Sequence, residues 1–284
     1  MSPVRHLSGP HQDRRITVTP ETAGWRTLGV EGVGLAAGET EVLDSGATEG
    51  AIVIVAGRLR VTVRSAEDGA GPAVQHELSR ADVFTELGSL VYVPPGSRAR
   101  VEAVDGPATF SVGWAPAEPG YPTRVLRAED GALDERGKGP ASRRVRHLLN
   151  HPAPAHRLIV FEVHVPAGGW SGWPPHRHDG VDGSSYLEET YYFRFAGPEG
   201  IGMHCNYTSD PEHADSFLVH DGDLVLVPGG FHFSTASPGS DMYFLNFLAG
   251  DLEHAERGTP PCFDDRHTWI EDAWRSVADA GSAC

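Results

Sequence analysis

The sequence is short of cysteine, of positive charge and of long apolar runs, and each shortage excludes something. Three cysteines, Cys205, Cys262 and Cys284, are spread through 284 residues. Their odd number and wide spacing fit neither a disulfide framework nor a CxxC zinc motif. Lysine and arginine total 23 against 39 aspartates and glutamates, a formal net charge of −16. Phosphate recognition needs a positive footprint, so no nucleic-acid partner is expected. The same deficit argues against docking on an anionic membrane. No run of 18 apolar residues exists that would span a bilayer. The stretch from Met1 to Arg15 is polar and lacks the apolar centre of a signal peptide, so a cytoplasmic protein is expected. Helical periodicity is also weak. The best candidate is the tail from Ile270 to Ala280, with Asp272 in its first turn.

Turn residues are plentiful: 34 glycines and 22 prolines punctuate the whole chain. Between them lie short apolar runs at 51–55, 59–63, 90–93, 158–165, 191–195, 224–227 and 242–248, rich in β-branched and aromatic residues. Many short strands joined by turns predict an all-β sandwich or barrel. The length suits one large domain or two of moderate size. The stretch from Ala128 to Ser142 is polar and Gly-rich without a periodic pattern, and reads as a linker. The expected division is an N-terminal barrel over 1–127, the linker over 128–142, and a C-terminal barrel with its tail over 143–284.

The two halves share a spaced pattern. Glu49 precedes Gly57 by eight residues, and Gly88 is followed by Pro94, Gly96 and Arg98. In the second half Glu189 precedes Gly197 by eight residues, and Gly222 is followed at the same offsets by Pro228, Gly230 and His232. This order resembles the two-part cupin motif, in which a small double-sheet barrel carries ligands on its inner face. Two copies imply a bicupin.

The second half adds His176 and His178 ahead of Glu188 and Glu189. Histidines at i and i+2 of a strand share a face. Three imidazoles (His176, His178, His232) and the Glu189 carboxylate are a donor set for one divalent ion, with positions left open for substrate. Nitrogen and oxygen donors suit zinc, manganese, iron or nickel alike. Only one of Glu188 and Glu189 faces inward on a regular strand, and Glu189 is chosen because Glu49 stands at the same distance from its glycine. The first half has no HxH pair, and Arg98 replaces the late histidine, so the same site is not expected there.

The run from Phe161 to Asp179, including Trp170-Ser-Gly-Trp173-Pro-Pro-His-Arg-His178, resembles the 5-deoxy-glucuronate isomerase family of myo-inositol catabolism. Leu187 to Phe195, Gly222 to His232 and Tyr243 to Gly250 resemble its later segments; Ala23-Gly-Trp25 and Tyr92-Val-Pro-Pro95 match more loosely. The related ketol-isomerases of pectin-derived uronates share the bicupin plan and a zinc site of three histidines and one glutamate. Carried over by motif position, that site again gives His176, His178, Glu189 and His232, with zinc as the expected metal. The resemblance implies an aldose–ketose isomerase acting on a small sugar acid, with self-association into a homo-oligomer left open.

Such a reaction needs a general base near the carbon that loses its proton. Glu189, Tyr191 and a hydroxide on the metal are the candidates. The substrate carboxylate calls for a guanidinium. Arg143 is favoured and Arg194 is a further candidate, with Trp173 as a wall of the cleft. Arg177, between two ligands, should point away from them. Two rival readings use the same residues: a bicupin dioxygenase with iron, and a sugar-acid-binding cupin without turnover.

Overall fold

The computed structural model describes residues 5–7, 15–65, 73–197, 199–210 and 213–274. Strands dominate it. The first half carries β1 (Arg5–Leu7), β2 (Ile16–Val18), β3 (Gly29–Leu35), β4 (Thr40–Asp44), β5 (Thr48–Ser65), β6 (Val74–Arg80), β7 (Ser89–Val93), β8 (Ser97–Ala103), β9 (Ala108–Pro116) and β10 (Arg124–Arg127). There follow β11 (Leu133–Arg136), β12 (Arg143–Leu149), β13 (Ile159–Val165), β14 (Trp170–Arg177), β15 (Leu187–Phe195) and β16 (Ile201–Tyr207). The last are β17 (Ala214–His220), β18 (Leu224–Val227), β19 (Phe231–Ala236), β20 (Met242–Gly250) and β21 (Cys262–Phe263).

Strands β2 to β10 form one sheet that curls on itself around β5. The first part of β5 pairs with β7 and β9; after a register shift between Ile54 and Ala56 the rest pairs with β6 and β8. The bend falls at Gly57, with φ at +91°. A side chain there would meet the Pro107 carbonyl oxygen at 2.5 Å, so both the backbone angle and the space demand glycine. The interior of this barrel is aliphatic, with Ile52, Ile54, Val61, Val91 and Val101 closed by Phe110.

The second barrel faces a seven-stranded sheet, β1-β18-β15-β20-β13-β12-β11, against a five-stranded one, β17-β16-β19-β14-β21. Tyr191, Phe193 and Phe195 of β15 meet Val219 of β17 and Ala236 of β19 in its core. Strict alternation sends the other faces outward to a shared core between the halves. Ala51, Val53 and Val55 of β5 pack there against Tyr243, Leu245, Phe247 and Ala249 of β20.

Two features depart from the pattern-based expectations. The stretch 128–142, read as a linker, carries β11, which pairs with β12 at the edge of the seven-stranded sheet. Its Leu-Asp-Glu-Arg text is mostly exposed and offers no apolar alternation to betray a strand. The opposite edge is β1, which pairs with β18 although it precedes the whole first barrel in sequence. Residues 269–274 are helical, as expected for the tail, and the remainder of the expected helix lies outside the described residues. No helix among the described residues is long and apolar enough to cross a membrane.

Candidate metal centre

Strand β14 is broken where it meets β19. Its register shifts between Ser171 and His176, and Gly172 there has φ of +75°. The break re-aims the strand so that His176 sits directly opposite His232. His178 follows the end of β14, and Glu189 reaches in from β15 on the facing sheet. One ligand atom from each of His176, His178, Glu189 and His232 lies within 4.8 Å of all the others. Glu189, His178 and His232 are buried, while His176 is half-buried at the open side.

The partners of these groups fix their chemistry. His178 Nδ1 lies 3.0 Å from the Leu187 carbonyl oxygen, and His232 Nδ1 lies 3.2 Å from that of Gly230. A carbonyl only accepts, so each Nδ1–H donates and each Nε2 turns inward. There, His178 Nε2 lies 2.8 Å and His232 Nε2 3.1 Å from the same oxygen, Glu189 Oε2. The other oxygen, Oε1, accepts from Asn246 Nδ2 at 2.7 Å. His232 Nε2 makes no hydrogen bond despite full burial. Lone pairs converge in this way around a shared cation, whether a proton on one ring or a metal ion held by all four. The donor set therefore fits a divalent metal.

Burial, reinforced by His232, pushes the His176 imidazole well below its usual range, so it is neutral and keeps a lone pair to offer. Burial opposes a charge on Glu189, yet His178 and His232 hold its carboxyl far below the ordinary carboxylate range. Burial likewise pulls on His178, but the Glu189 carboxylate overrides it and raises this imidazole.

A cavity of about 690 Å³ opens above the group, and His176, His178, Glu189, Arg143 and Trp173 line it. Arg143 donates to the carbonyls of Ala141 (3.2 Å) and Trp173 (3.4 Å) and forms no ion pair with a carboxylate among the described residues. Desolvation, with Arg136 nearby, pulls its guanidinium down to about 10. Such a group gains from an incoming anion. Lys138, within the stretch expected to be a linker, also lines the cavity.

Other expectations change. Arg194 is not at the cavity; its Nε donates to Asp221 at 2.7 Å, because its parity on β15 is opposite to that of Glu189. Tyr191 shares the inward face but lies under the centre, its ring 5.8 Å from that of His232. Burial and Glu189 push its hydroxyl well above the usual phenol range, so it remains protonated. Arg177 points away as expected, into a two-pronged pair with Asp179. One partner of the site was missed, and another was left open. Asn246 lies within a segment already quoted for its resemblance, but its contact with Glu189 follows only from the β15–β20 register. His204, expected at the surface or as an outlying neighbour, is fully buried beside Tyr191, with ring centroids 4.9 Å apart.

The choice between Glu188 and Glu189 is decided by strand parity, and the repeat argument behind it needs correction. Glu188 points to the opposite face and is fully buried against the first half. Its carboxylate accepts from the backbone N–H groups of Arg26 (2.6 Å), Thr27 (3.0 Å) and Leu28 (2.7 Å). Glu49 does the same in reverse, accepting from His156, Arg157 and Leu158. Register confirms the equivalence: Glu49 opposes Ala115 as Glu188 opposes Ala249, while Gly50 opposes Val93 as Glu189 opposes Val227. The first-half counterpart of Glu189 is thus Gly50, not Glu49. Arg98 is exposed rather than standing in for His232.

A double β-barrel with three histidines and one glutamate converging at the floor of a cavity defines a bicupin with a candidate metal centre. The sequence matches the KduI/IolB family over residues 4–270, and the chain belongs to that family. It is 33% identical over 262 residues to a 5-deoxy-glucuronate isomerase of Geobacillus thermodenitrificans, covering 91% of each chain. With the enzyme of that name from Bacillus subtilis strain 168 it shares 30% identity over 240 residues, 83% of this chain and 84% of the other. Among solved structures, an IolB-like protein from Salmonella typhimurium LT2 aligns with a TM-score of 0.84 and 32% identity, over 94% of this chain and 98% of that one. A mutant of Bacillus subtilis oxalate decarboxylase shares the fold at a TM-score of 0.62 and 15% identity, over 87% and 78%.

Proposed function

We propose that the protein is a metal-dependent 5-deoxy-glucuronate isomerase of inositol catabolism, working in the cytoplasm. It interconverts the open-chain aldehyde acid 5-deoxy-D-glucuronate and the ketone 5-dehydro-2-deoxy-D-gluconate. The observation that carries this reading is the convergence of His176, His178, Glu189 and His232 beneath a cavity that also holds Arg143, which has no acidic partner among the described residues. In the reaction a proton leaves the hydroxyl-bearing carbon beside the aldehyde and returns at the former aldehyde carbon. When bound, the ion, with zinc the proposed metal, polarises the carbonyl and adjacent hydroxyl and stabilises the negative charge that develops.

The chain's own residues do the rest. Arg143 receives the substrate carboxylate through paired N–H donors. Trp173 closes one side of the cleft and excludes water. Glu189 is the proposed proton carrier, and Asn246 holds its Oε1 in place. Tyr191, kept protonated beneath it, steadies that carboxylate. In this division of labour the strands from β12 onward form the working barrel, with β11 and β1 added at its two edges, and β2 to β10 form a barrel kept for packing.

The test is incubation of the purified protein with 5-deoxy-D-glucuronate, followed by NMR, alongside elemental analysis. Keto-acid formation should stop on chelation and return with added metal, without oxygen consumption. His178→Ala should lose the metal and turnover while keeping its β-sheet circular dichroism. Full turnover in that variant would overturn the reading.

A further inference from the structure

A second cluster of ligating side chains lies away from the candidate centre and shares no residue with it. His156 precedes β13; Glu253 and His254 follow β20. We propose that these three residues form a second binding site for a transition-metal ion such as Zn²⁺, which ties the segment after β20 to the junction between the two barrels. This inference does not depend on the isomerase reading.

Four observations support it. One ligand atom from each residue lies within 4.8 Å of the other two. The rings of His156 and His254 stand 4.7 Å apart, close to the 4.5 Å between His176 and His232. His156 Nε2 is 3.7 Å from Glu253 Oε2, too far for a hydrogen bond. Two ligands on one zinc ion, each bound at about 2.0–2.2 Å with tetrahedral spacing, stand roughly 3.4 Å apart. Finally, His156 is only 3% exposed, so its imidazole is already stripped of water before an ion arrives.

The surroundings orient the donors. His254 adopts a left-handed backbone, φ +49°, which non-glycine residues seldom do. Its N–H donates to the His156 carbonyl at 2.6 Å, which holds the two residues together. Its Nδ1 is hydrogen-bonded to the Tyr121 hydroxyl at 2.9 Å, so Nε2 is the nitrogen left to ligate. Arg157 engages Glu253 Oε1 and leaves Oε2 for the ion.

The same arginine sets the selectivity. By offsetting the charge of Glu253, it weakens the attraction a hard cation such as Mg²⁺ or Ca²⁺ would need. What remains are two imidazole nitrogens, which favour zinc, cobalt, nickel or copper. The ion would brace Arg257, three residues beyond His254, and the Gly258–Pro260 strip that walls the cavity.

Zn²⁺ uptake by the full chain, stripped of metal and then dialysed to equilibrium, tests this. His254 is exposed, so His254→Ala should fold normally, as circular dichroism will verify. Wild type is expected to bind two equivalents, His254→Ala one, His178→Ala one, and the double variant none, with excess Mg²⁺ failing to compete. The decisive comparison is wild type against His254→Ala. Loss of one equivalent supports the second site, whatever the wild-type total. Unchanged stoichiometry in His254→Ala overturns it.

Discussion

The two barrels solve the same packing problem with opposite contents. In the first, the inward position opposite Val93 is Gly50, and the Trp114 ring occupies the space; a side chain on Gly50 would come within 2.2 Å of it. In the second, the position opposite Val227 is Glu189, surrounded by three imidazoles. The adjacent outward position is a buried glutamate in both, Glu49 and Glu188, and each binds three consecutive backbone N–H groups of the other half. The lesson is that two neighbouring positions on one strand carry separable duties. The outward carboxylate joins the barrels, and the inward one belongs to the chemistry.

That separation is open to attack by substitution. The largest effect is expected from Glu189→Gln, which should cost roughly 10³-fold in turnover through loss of the centre's charge balance, while the melting temperature holds; parallel kinetics and calorimetry will show it. Glu188→Gln should do the reverse. Losing a buried carboxylate with several hydrogen bonds should cost about 3 kcal/mol in urea unfolding, with metal content unchanged. If Glu188→Gln instead released the metal, the division of duties would fail. Asn246→Ala, which frees Glu189 Oε1, should weaken metal affinity roughly 10–100-fold in a competition titration. The smallest effect is expected from Gly50→Ala: about 1–3 kcal/mol of destabilisation from overpacking against Trp114, with turnover intact.

Much of this was legible in the sequence. Short apolar runs gave the strands, and parity on a strand was enough to say that Glu188 and Glu189 could not both face inward. Equal spacing was less informative than it looked. Glu49 and Glu189 stand at the same distance from a glycine, yet the ladder puts Glu49 opposite the counterpart of Glu188's partner. Distance along the chain does not record a bulge, and a one-residue offset turns a side chain to the other face. His204 was hidden for a related reason. Strand β16 buries Gly202, His204 and Asn206 while exposing Ile201 and Met203, 37% and 39% accessible. Around a cluster of imidazoles the barrel interior is polar, so the usual hydrophobic alternation runs backwards. Arg194 follows the ordinary rule and turns outward to Asp221. The contacts of Glu188 with Arg26–Leu28 leave no pattern at all, because backbone N–H groups have no side-chain signature.

The reciprocal carboxylates also constrain how the molecule is made. During synthesis on the ribosome, Glu49 emerges more than a hundred residues before the amides that satisfy it, and the amides of Arg26–Leu28 wait longer still for Glu188. Either half expressed alone would carry both a charged group and a row of amides with no mate. The molecule should therefore behave as a single cooperative unit, and fragments cut between the barrels should recover a native state only when supplied together.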